Sequence, residues 1–318
     1  MRVAVNTYRT RHGHDAPIEL AYDVFGQAGR PLVAIMGIGA QRIFWDERMC
    51  DALVAAGFQV VRFDARDVGE STHLDAGVPK PFSLLARRIA NLSIAAPYTL
   101  SDMARDVIGL CDALGWASAH VVGASLGGMV AQHLAIEHAP RIRSFTSIMS
   151  TPGARRFLPE PRALRALFSP APKSAEESGE TLVKMFRVLG SPAWPLDEAR
   201  MRRIGIAAFE RGSNPRGFLR QFAAALASGD RTSKLAQTPV PGLAIHGTRD
   251  PMFPLAAGRA VAFGVPNGTW LPIQGMGHDL PAPVWPVIVR AIAGHAARAE
   301  SSCVGRGSNP QALSGRNF

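Results

Sequence analysis

Residues 120–136 constrain the fold of this chain more than any other stretch. An apolar, β-rich run ends in Gly123-Ala124-Ser125-Leu126-Gly127, and a helical pattern begins at once. The residues that repeat at helical spacing are Met129, Val130, His133, Leu134 and Ile136. A strand, a tight turn and a helix in direct succession form the setting in which a Gly-x-Ser-x-Gly serine sits on a strained turn with its hydroxyl exposed. The two flanking glycines are needed because a side chain at either place would collide with neighbouring backbone.

The pattern alone also fits an ordinary loop of small residues between a strand and a helix. Gly-x-Ser-x-Gly is short, and in a chain that contains 31 glycines it arises by chance often enough to carry little weight. Its meaning therefore depends on whether suitable partner residues follow at the ends of later strands.

Strand and helix patterns alternate along most of the chain. Residues 3–8 and 18–25 predict an opening antiparallel hairpin, and the continuous apolar run at 31–36 predicts a strand buried on both faces. Residues 58–64 predict a second apolar strand, and residues 144–150 predict another strand. Helical patterns lie between them, and one begins at Thr99 with Asp102 in a capping arrangement. This alternation predicts an α/β fold with a mostly parallel, doubly wound sheet.

The alternation of strand and helix patterns stops between residues 154 and 238, where helical patterns dominate and no buried-strand pattern occurs. We interpret this segment as an inserted helical cap. The core then comprises residues 1–153 and 239–298, with further strands near 240–246 and 268–273 and a closing helix at 284–297. Residues 299–318 are rich in Gly, Ser, Asn and Arg without periodicity, which predicts a flexible tail.

Composition excludes several classes of function. The formal net charge is +10, but only four of the 35 basic residues are lysine and the arginines are spread along the chain, so no nucleic-acid partner is expected. Three scattered cysteines suggest neither a disulfide framework nor a metal site. The uncharged run at 113–136 holds glycines and histidines, which argues against a membrane span, and the N-terminus lacks a signal-peptide core. We expect a cytoplasmic protein without metal, cofactor or membrane insertion; its oligomeric state is left open.

Two partners for Ser125 follow it in the chain. Serine is a weak nucleophile unless a base takes its proton and a third group orients that base. Asp250 comes just after the strand at 240–246, and His278 just after the strand at 268–273. Because parallel strands end at the same edge of a sheet, we predict that Ser125, His278 and Asp250 meet there as nucleophile, base and acid.

Several residues have plainer interpretations. Asp250 also fits a cap for a following helix, Asp279 is a rival acid that we assign a structural role, and His246 is expected to be a packed core residue. His120 and His133 are interpreted as hydrogen-bonded core groups. Histidines with no partner that the sequence can name are assigned to the surface: His12, His14, His73, His138 and His295.

An acyl-transfer site also needs two backbone amides for the oxyanion. We assign these to Leu126, directly after the serine, and to Ile38 in the glycine-rich loop after the strand at 31–36. Gly37 and Gly39 flank Ile38 and would let substrate approach the backbone. Cap residues with an alternative role as cap core are proposed to contact substrate: Met185, Phe186, Phe218 and Phe222.

These motifs resemble the α/β-hydrolase family over residues 18–297. The resemblance rests on Ser125 in Gly-x-Ser-x-Gly, Asp250 after His-Gly-Thr-Arg, and His278 in Gly-Met-Gly-His. Residues 64–71 (Asp-Ala-Arg-Asp-Val-Gly-Glu-Ser) and 98–103 (Tyr-Thr-Leu-Ser-Asp-Met) are similar to its aclacinomycin methylesterase-like branch. Many relatives carry His-Gly where this chain has Met36-Gly37, which keeps the glycine but removes one polar group from the loop. The serine argues against the branches that use an aspartate nucleophile, the haloalkane dehalogenases and epoxide hydrolases.

The sequence therefore predicts a serine carboxylic-ester hydrolase that works through an acyl-enzyme on a small-molecule ester. Two other functions remain open. The same three residues serve cofactor-free perhydrolases and carbon–carbon bond hydrolases, which acyl-length profiling and a peroxide-dependent halogenation assay would separate from esterases. The fold also serves small-molecule receptors, for which slow turnover and strong stabilisation by ligand would be expected.

Overall fold

The computed structural model describes residues 1–307, with side chains at all of these positions except 82 and 302–307. Eight strands form one sheet in the order β1-β2-β4-β3-β5-β6-β7-β8. Their bounds are β1 Arg2–Arg9, β2 Asp15–Phe25, β3 Arg30–Ile35, β4 Phe58–Phe63, β5 Ala119–Ala124, β6 Ile142–Ile148, β7 Gly242–Gly247 and β8 Thr269–Ile273. The first two strands form the predicted antiparallel hairpin, β2 pairs with β4 antiparallel, and the remaining pairs are parallel.

Helices cover both faces of the sheet, as the alternating pattern predicted. The helices of the core are α1 Glu47–Ala55, α2 Pro81–Ile89, α3 Leu100–Ala113, α4 Leu126–Glu137, α10 Leu255–Gly264 and α11 Trp285–Gly307. One apolar layer packs α3, α4 and α10 against one face, and a second packs α1 and α11 against the other. The predicted α/β fold with a mostly parallel, doubly wound sheet is confirmed.

The segment between β6 and β7 contains five helices, and the described structure has no strand within it. They are α5 Pro161–Leu167, α6 Ala175–Leu189, α7 Glu198–Glu210, α8 Pro215–Ala227 and α9 Thr232–Leu235. Local capping explains where the longer ones begin: the side chain of Ser174 accepts from the amide of Glu177, and that of Asn214 accepts from the amide of Gly217. We call residues 154–238 the cap segment.

Helix α2 lies in a stretch where the sequence indicated only a long, proline-containing connection. It begins with Pro81 and has no side-chain cap, so it carries little local signal. Leu84 is buried against Phe222 of α8. Since this contact joins residues far apart in the chain, periodicity within residues 81–89 could not show it.

Helix α11 is longer than the sequence indicated. It continues through residues 299–307, which were assigned to a flexible tail, so the predicted start of that tail is too early. The reason is tertiary: Ala299 is buried, and Glu300 lies 3.2 Å from His120 Nε2 and 3.5 Å from Arg143 Nη1. The rest of the predicted tail, residues 308–318, lies outside the described residues.

Candidate active site

Ser125 sits on a strained turn between β5 and α4. Its backbone has φ 55° and ψ −116°, a region that non-glycine residues adopt only where the surroundings enforce it. A Cβ on Gly123 would lie 2.0 Å from the carbonyl oxygen of Gly127, and a Cβ on Gly127 would lie 2.2 Å from that of Ile35. Both flanking glycines are therefore required by close backbone packing, as the sequence pattern predicted.

Three side chains from three strand ends form one chain of hydrogen bonds. His278, in the loop after β8, has its Nε2 3.0 Å from Ser125 Oγ and its Nδ1 2.9 Å from Asp250 Oδ2. Its backbone amide donates to the carbonyl of Leu189 in the cap segment at 2.7 Å, which fixes the loop. With Asp250 ionised, this arrangement puts the ring proton on Nδ1 and leaves Nε2 free to accept from the serine hydroxyl.

Asp250 is held from two sides. Its Oδ1 accepts from the amides of Met252 at 2.7 Å and Phe253 at 3.0 Å, so it also caps the turn that follows it. Burial opposes ionisation of this carboxyl, but the adjacent His278 and the hydrogen bonds outweigh it and lower the pKa of Asp250 below its ordinary value. Asp250 thus stays a carboxylate, as orientation of a neighbouring imidazole requires.

His246 is a buried core residue, but it also contacts the acid. Its Nε2 lies 3.0 Å from the carbonyl oxygen of Phe253 and 3.3 Å from Asp250 Oδ2, and its Nδ1 has no hydrogen-bond partner. Burial lowers its pKa. The contact with Asp250 was not predicted from the sequence, although the two residues are four positions apart across the end of β7.

Asp279 contacts a different partner. Its Oδ1 accepts from the hydroxyl of Ser191, whose oxygen in turn accepts from the amide of Gly277 at 2.9 Å. Burial raises the pKa of Asp279. The structure thus gives Asp279 a hydrogen bond that ties the cap segment to the loop carrying His278, while Asp250 occupies the position beside the imidazole.

The glycine-rich loop after β3 lies directly against the serine. A Cβ on Gly37 would be 3.3 Å from Ser125 Cβ, and the amide of Ala40 donates to the carbonyl of Gly37 at 3.2 Å to close a tight turn. Ile38 lies within this turn, and Leu126 is the first residue of α4. That their two amides receive an oxyanion stays a prediction.

A cavity of about 860 Å³ opens between the sheet edge and the cap segment. Ser125 and His278 line it, and so do Gly37, Ile38, Gly39 and Leu126 together with the proposed substrate contacts Met185, Phe186, Phe218 and Phe222. Further aromatic residues on its wall were not predicted from the sequence, among them Phe168 and Phe253. Phe168 packs edge-on against Phe222 at 5.0 Å, and the ring of Phe253 lies 5.8 Å from that of His278. The wall is mainly apolar around a polar reacting centre, which suits small organic ligands.

The described residues contain no candidate metal site and no candidate membrane span. In that part of the chain, no group of three or more His, Cys, Asp or Glu side chains is arranged to hold a metal ion. No helix within residues 1–307 combines the length and apolarity that crossing a bilayer requires.

Comparison with known proteins agrees with the fold. Residues 30–281 match the model of the alpha/beta hydrolase fold family. The chain belongs to this family. Rhodomycin D methylesterase DnrP of Streptomyces peucetius is 28% identical over 292 residues, which cover 84% of this hydrolase and 91% of the relative. The 2-hydroxy-6-oxononadienedioate/2-hydroxy-6-oxononatrienedioate hydrolase of Burkholderia vietnamiensis is 26% identical over 263 residues, 79% of this chain and 81% of that one.

Solved structures support the same fold. The enol-lactonase of Burkholderia xenovorans LB400 superposes on this hydrolase with a TM-score of 0.66 at 21% identity, covering 92% of this chain and all (100%) of the lactonase. The predicted family is confirmed, and the methylesterase among the relatives agrees with the predicted branch.

Proposed function

We propose that this hydrolase is a serine carboxylic-ester hydrolase that forms an acyl-enzyme on Ser125. One observation carries the proposal. Ser125, His278 and Asp250 are hydrogen-bonded in series, and the serine at one end of this series lines an apolar cavity. A methylesterase among the relatives supports an ester as substrate.

In the first half of the reaction, Ser125 Oγ attacks the ester carbonyl carbon while its proton passes to His278 Nε2. Asp250 accepts from Nδ1 and stabilises the imidazolium that forms. The carbonyl oxygen becomes an oxyanion, which the amides of Ile38 and Leu126 would bind. When the C–O bond breaks, His278 gives the proton to the departing alcohol and the acyl group stays on the serine.

The second half repeats these steps with water. His278 takes a proton from a water molecule that attacks the acyl-enzyme, and then returns a proton to Ser125 as the acid leaves. The cap segment would shape substrate choice, since Met185, Phe186 and Phe218 line the cavity above the serine. A pocket of this size and polarity suits an ester of small to medium length.

Replacement of the nucleophile tests the proposal. Ser125→Ala should reduce turnover of p-nitrophenyl acetate and butyrate by at least about 10³-fold, because no acyl-enzyme can form. The fold should be preserved, which circular dichroism and a thermal melt will show. Undiminished turnover by a folded Ser125→Ala protein would refute the assignment.

A second candidate is carbon–carbon bond hydrolysis by the same residues. The Burkholderia vietnamiensis relative, named for a 2-hydroxy-6-oxo dienedioate, favours it. A direct comparison of kcat/KM for a 2-hydroxy-6-oxo dienoate and for an ester panel of increasing acyl length distinguishes the two. We expect the esters to be the better substrates by about tenfold or more, a difference of about 1.4 kcal/mol in transition-state binding.

A further inference from the structure

Gln221 is a buried glutamine that joins the cap segment to two loops of the core. It lies on α8 and is 0% exposed. Its Oε1 accepts from the amide of Gly39 at 2.8 Å, and its Nε2 donates to the carbonyl of Arg66 at 3.0 Å. One side chain thus connects the loop beside Ser125 with the loop after β4, and the reaction described above gives it no role.

The hydrogen bond from the Gly39 amide to Gln221 involves the Ile38–Gly39 peptide unit, whose orientation defines the turn. Gly37 to Ala40 form a turn closed by the Ala40 amide, and its third residue, Gly39, has φ 64°. A positive φ at this position is what a type II turn requires, and it fixes the orientation of the Ile38–Gly39 peptide. Because Gln221 accepts from that peptide's N–H, it holds the turn in this form.

Neighbouring contacts fix the position of Gln221. The preceding residue, Arg220, makes a bidentate ion pair with Asp67, with Nε to Oδ2 at 2.8 Å and Nη2 to Oδ1 at 2.6 Å. Both residues are buried. Asn214, which caps α8, also donates to the carbonyl of Asp67 at 3.0 Å. The helix that carries Gln221 is therefore fixed to the same loop whose Arg66 carbonyl Gln221 contacts.

We infer that Gln221 is a positioning residue for the oxyanion-binding loop: it holds the Gly37–Ala40 turn so that the Ile38 amide stays directed at the reacting carbonyl of the substrate. This inference rests on the proposed function, since it assigns Ile38 to the oxyanion. A group that acts on transition-state charge should affect kcat far more than KM.

The test compares two buried glutamines. Gln132 on α4 is also 0% exposed and bonds Ser147, Thr151 and Arg231, none of which belongs to the loop beside the serine. Gln221→Met should lower kcat for p-nitrophenyl butyrate by about 10- to 100-fold, less than loss of a whole oxyanion donor, with KM changed by less than about threefold. Gln132→Met should leave kcat within about threefold, although both variants lose stability in urea unfolding.

A second variant keeps the test informative if Gln221→Met does not fold. In Gln221→Glu, a protonated carboxyl can accept from Gly39 and donate to Arg66, whereas a carboxylate cannot donate. Burial favours the protonated form. The ratio of kcat for Gln221→Glu to kcat for the parent enzyme should therefore rise as pH falls, and the titration of the shared triad cancels in this ratio.

The outcomes separate this inference from the proposed function. A folded Gln221→Met with unchanged kcat, an equal loss in Gln132→Met, or a pH-independent ratio for Gln221→Glu would overturn the positioning role while Ser125→Ala remained inactive. Turnover that persists in Ser125→Ala would instead remove the proposed reaction itself.

Discussion

Two sets of loops at the carboxyl edge of the sheet use their charged groups differently. The loop after β4 carries Asp64, Arg66 and Asp67, which are all buried and each paired with an opposite charge. The loops after β5, β7 and β8 carry the hydrogen-bonded side chains of Asp250, His278 and Ser125. This series ends at the serine hydroxyl, which faces the cavity. In the first set, every charged side chain is paired with another protein group. In the second set, the Ser125 hydroxyl faces the space that a ligand would fill.

We propose that this difference separates charges with a structural role from those that take part in the reaction. Buried ion pairs in which each charge has a partner specify how helices and loops pack together. Removal of one partner leaves the other charge buried and unpaired. Under the proposed function, the hydrogen-bonded side chains that open on the cavity transfer protons instead. Substitutions in the two sets should therefore have opposite profiles, one in stability and the other in turnover.

The largest effect is expected for Asp250→Asn. The amide can still accept from Met252 and Phe253, so the turn should remain, but its NH₂ group facing His278 favours the wrong tautomer of the ring. We expect kcat for p-nitrophenyl butyrate to fall by about 10³- to 10⁴-fold, with only a small change in Tm. A comparable kcat in variant and parent would remove Asp250 from the proposed mechanism.

A buried ion pair should show the reverse profile. Arg66 donates to Asp106 of α3 through Nε and Nη2, both at 2.6 Å. Asp106→Asn should lower the free energy of unfolding by about 3 to 5 kcal/mol, because it leaves the guanidinium without its counter-charge. Measured by urea unfolding, the loss should be partly recovered in the double variant Arg66→Met/Asp106→Leu, which removes both charges. If kcat of the folded Asp106→Asn protein fell as far as in Asp250→Asn, the distinction between the two sets would fail.

A smaller effect concerns acid stability. Burial, with a contribution from Arg231, lowers the pKa of His133 to about 4, while its Nδ1 lies 2.7 Å from Glu137 Oε1. Between the ordinary histidine pKa of about 6.5 and about 4, the unfolded chain binds more protons than the folded one, so the free energy of unfolding decreases as pH falls through this window.

His133→Gln should flatten that decrease by about 2 to 3 kcal/mol over the window, as measured by urea unfolding at several pH values. The pKa of His295 is also lowered to about 4, so part of the slope should remain. The matched control is His14→Gln at an exposed position, which should retain the contribution of His133 to the slope. An identical slope in His133→Gln and the parent would show that this histidine is not buried in its neutral form.

The sequence was sufficient to predict that Ser125, Asp250 and His278 meet, because their signals are local. Ser125 has its own turn motif, and Asp250 and His278 each directly follow an apolar strand, so the rule that parallel strands share an edge was enough to bring them together. The capping arrangement at Thr99 was equally local, and the structure confirms it.

Features that depend on distant contacts could not be predicted in this way. The loop at 64–71 was noted only as a resemblance, since its partners Arg211 and Arg220 come from the cap segment about 150 residues later. His295, assigned to the surface, is buried with its Nε2 3.2 Å from the carbonyl oxygen of Pro241. The spacing of residues along a helix does not show which distant segment will bury a given side chain.

Covalent labelling tests the central claim most directly. Diisopropyl fluorophosphate reacts with a serine whose proton a neighbouring base removes, so peptide mapping by mass spectrometry reports where that activated hydroxyl lies. The proposed mechanism predicts one adduct per chain, on the peptide that contains Ser125, and loss of that adduct in Ser125→Ala. An active enzyme that is labelled at another serine, or that stays unlabelled at Ser125 while it loses activity, would contradict it.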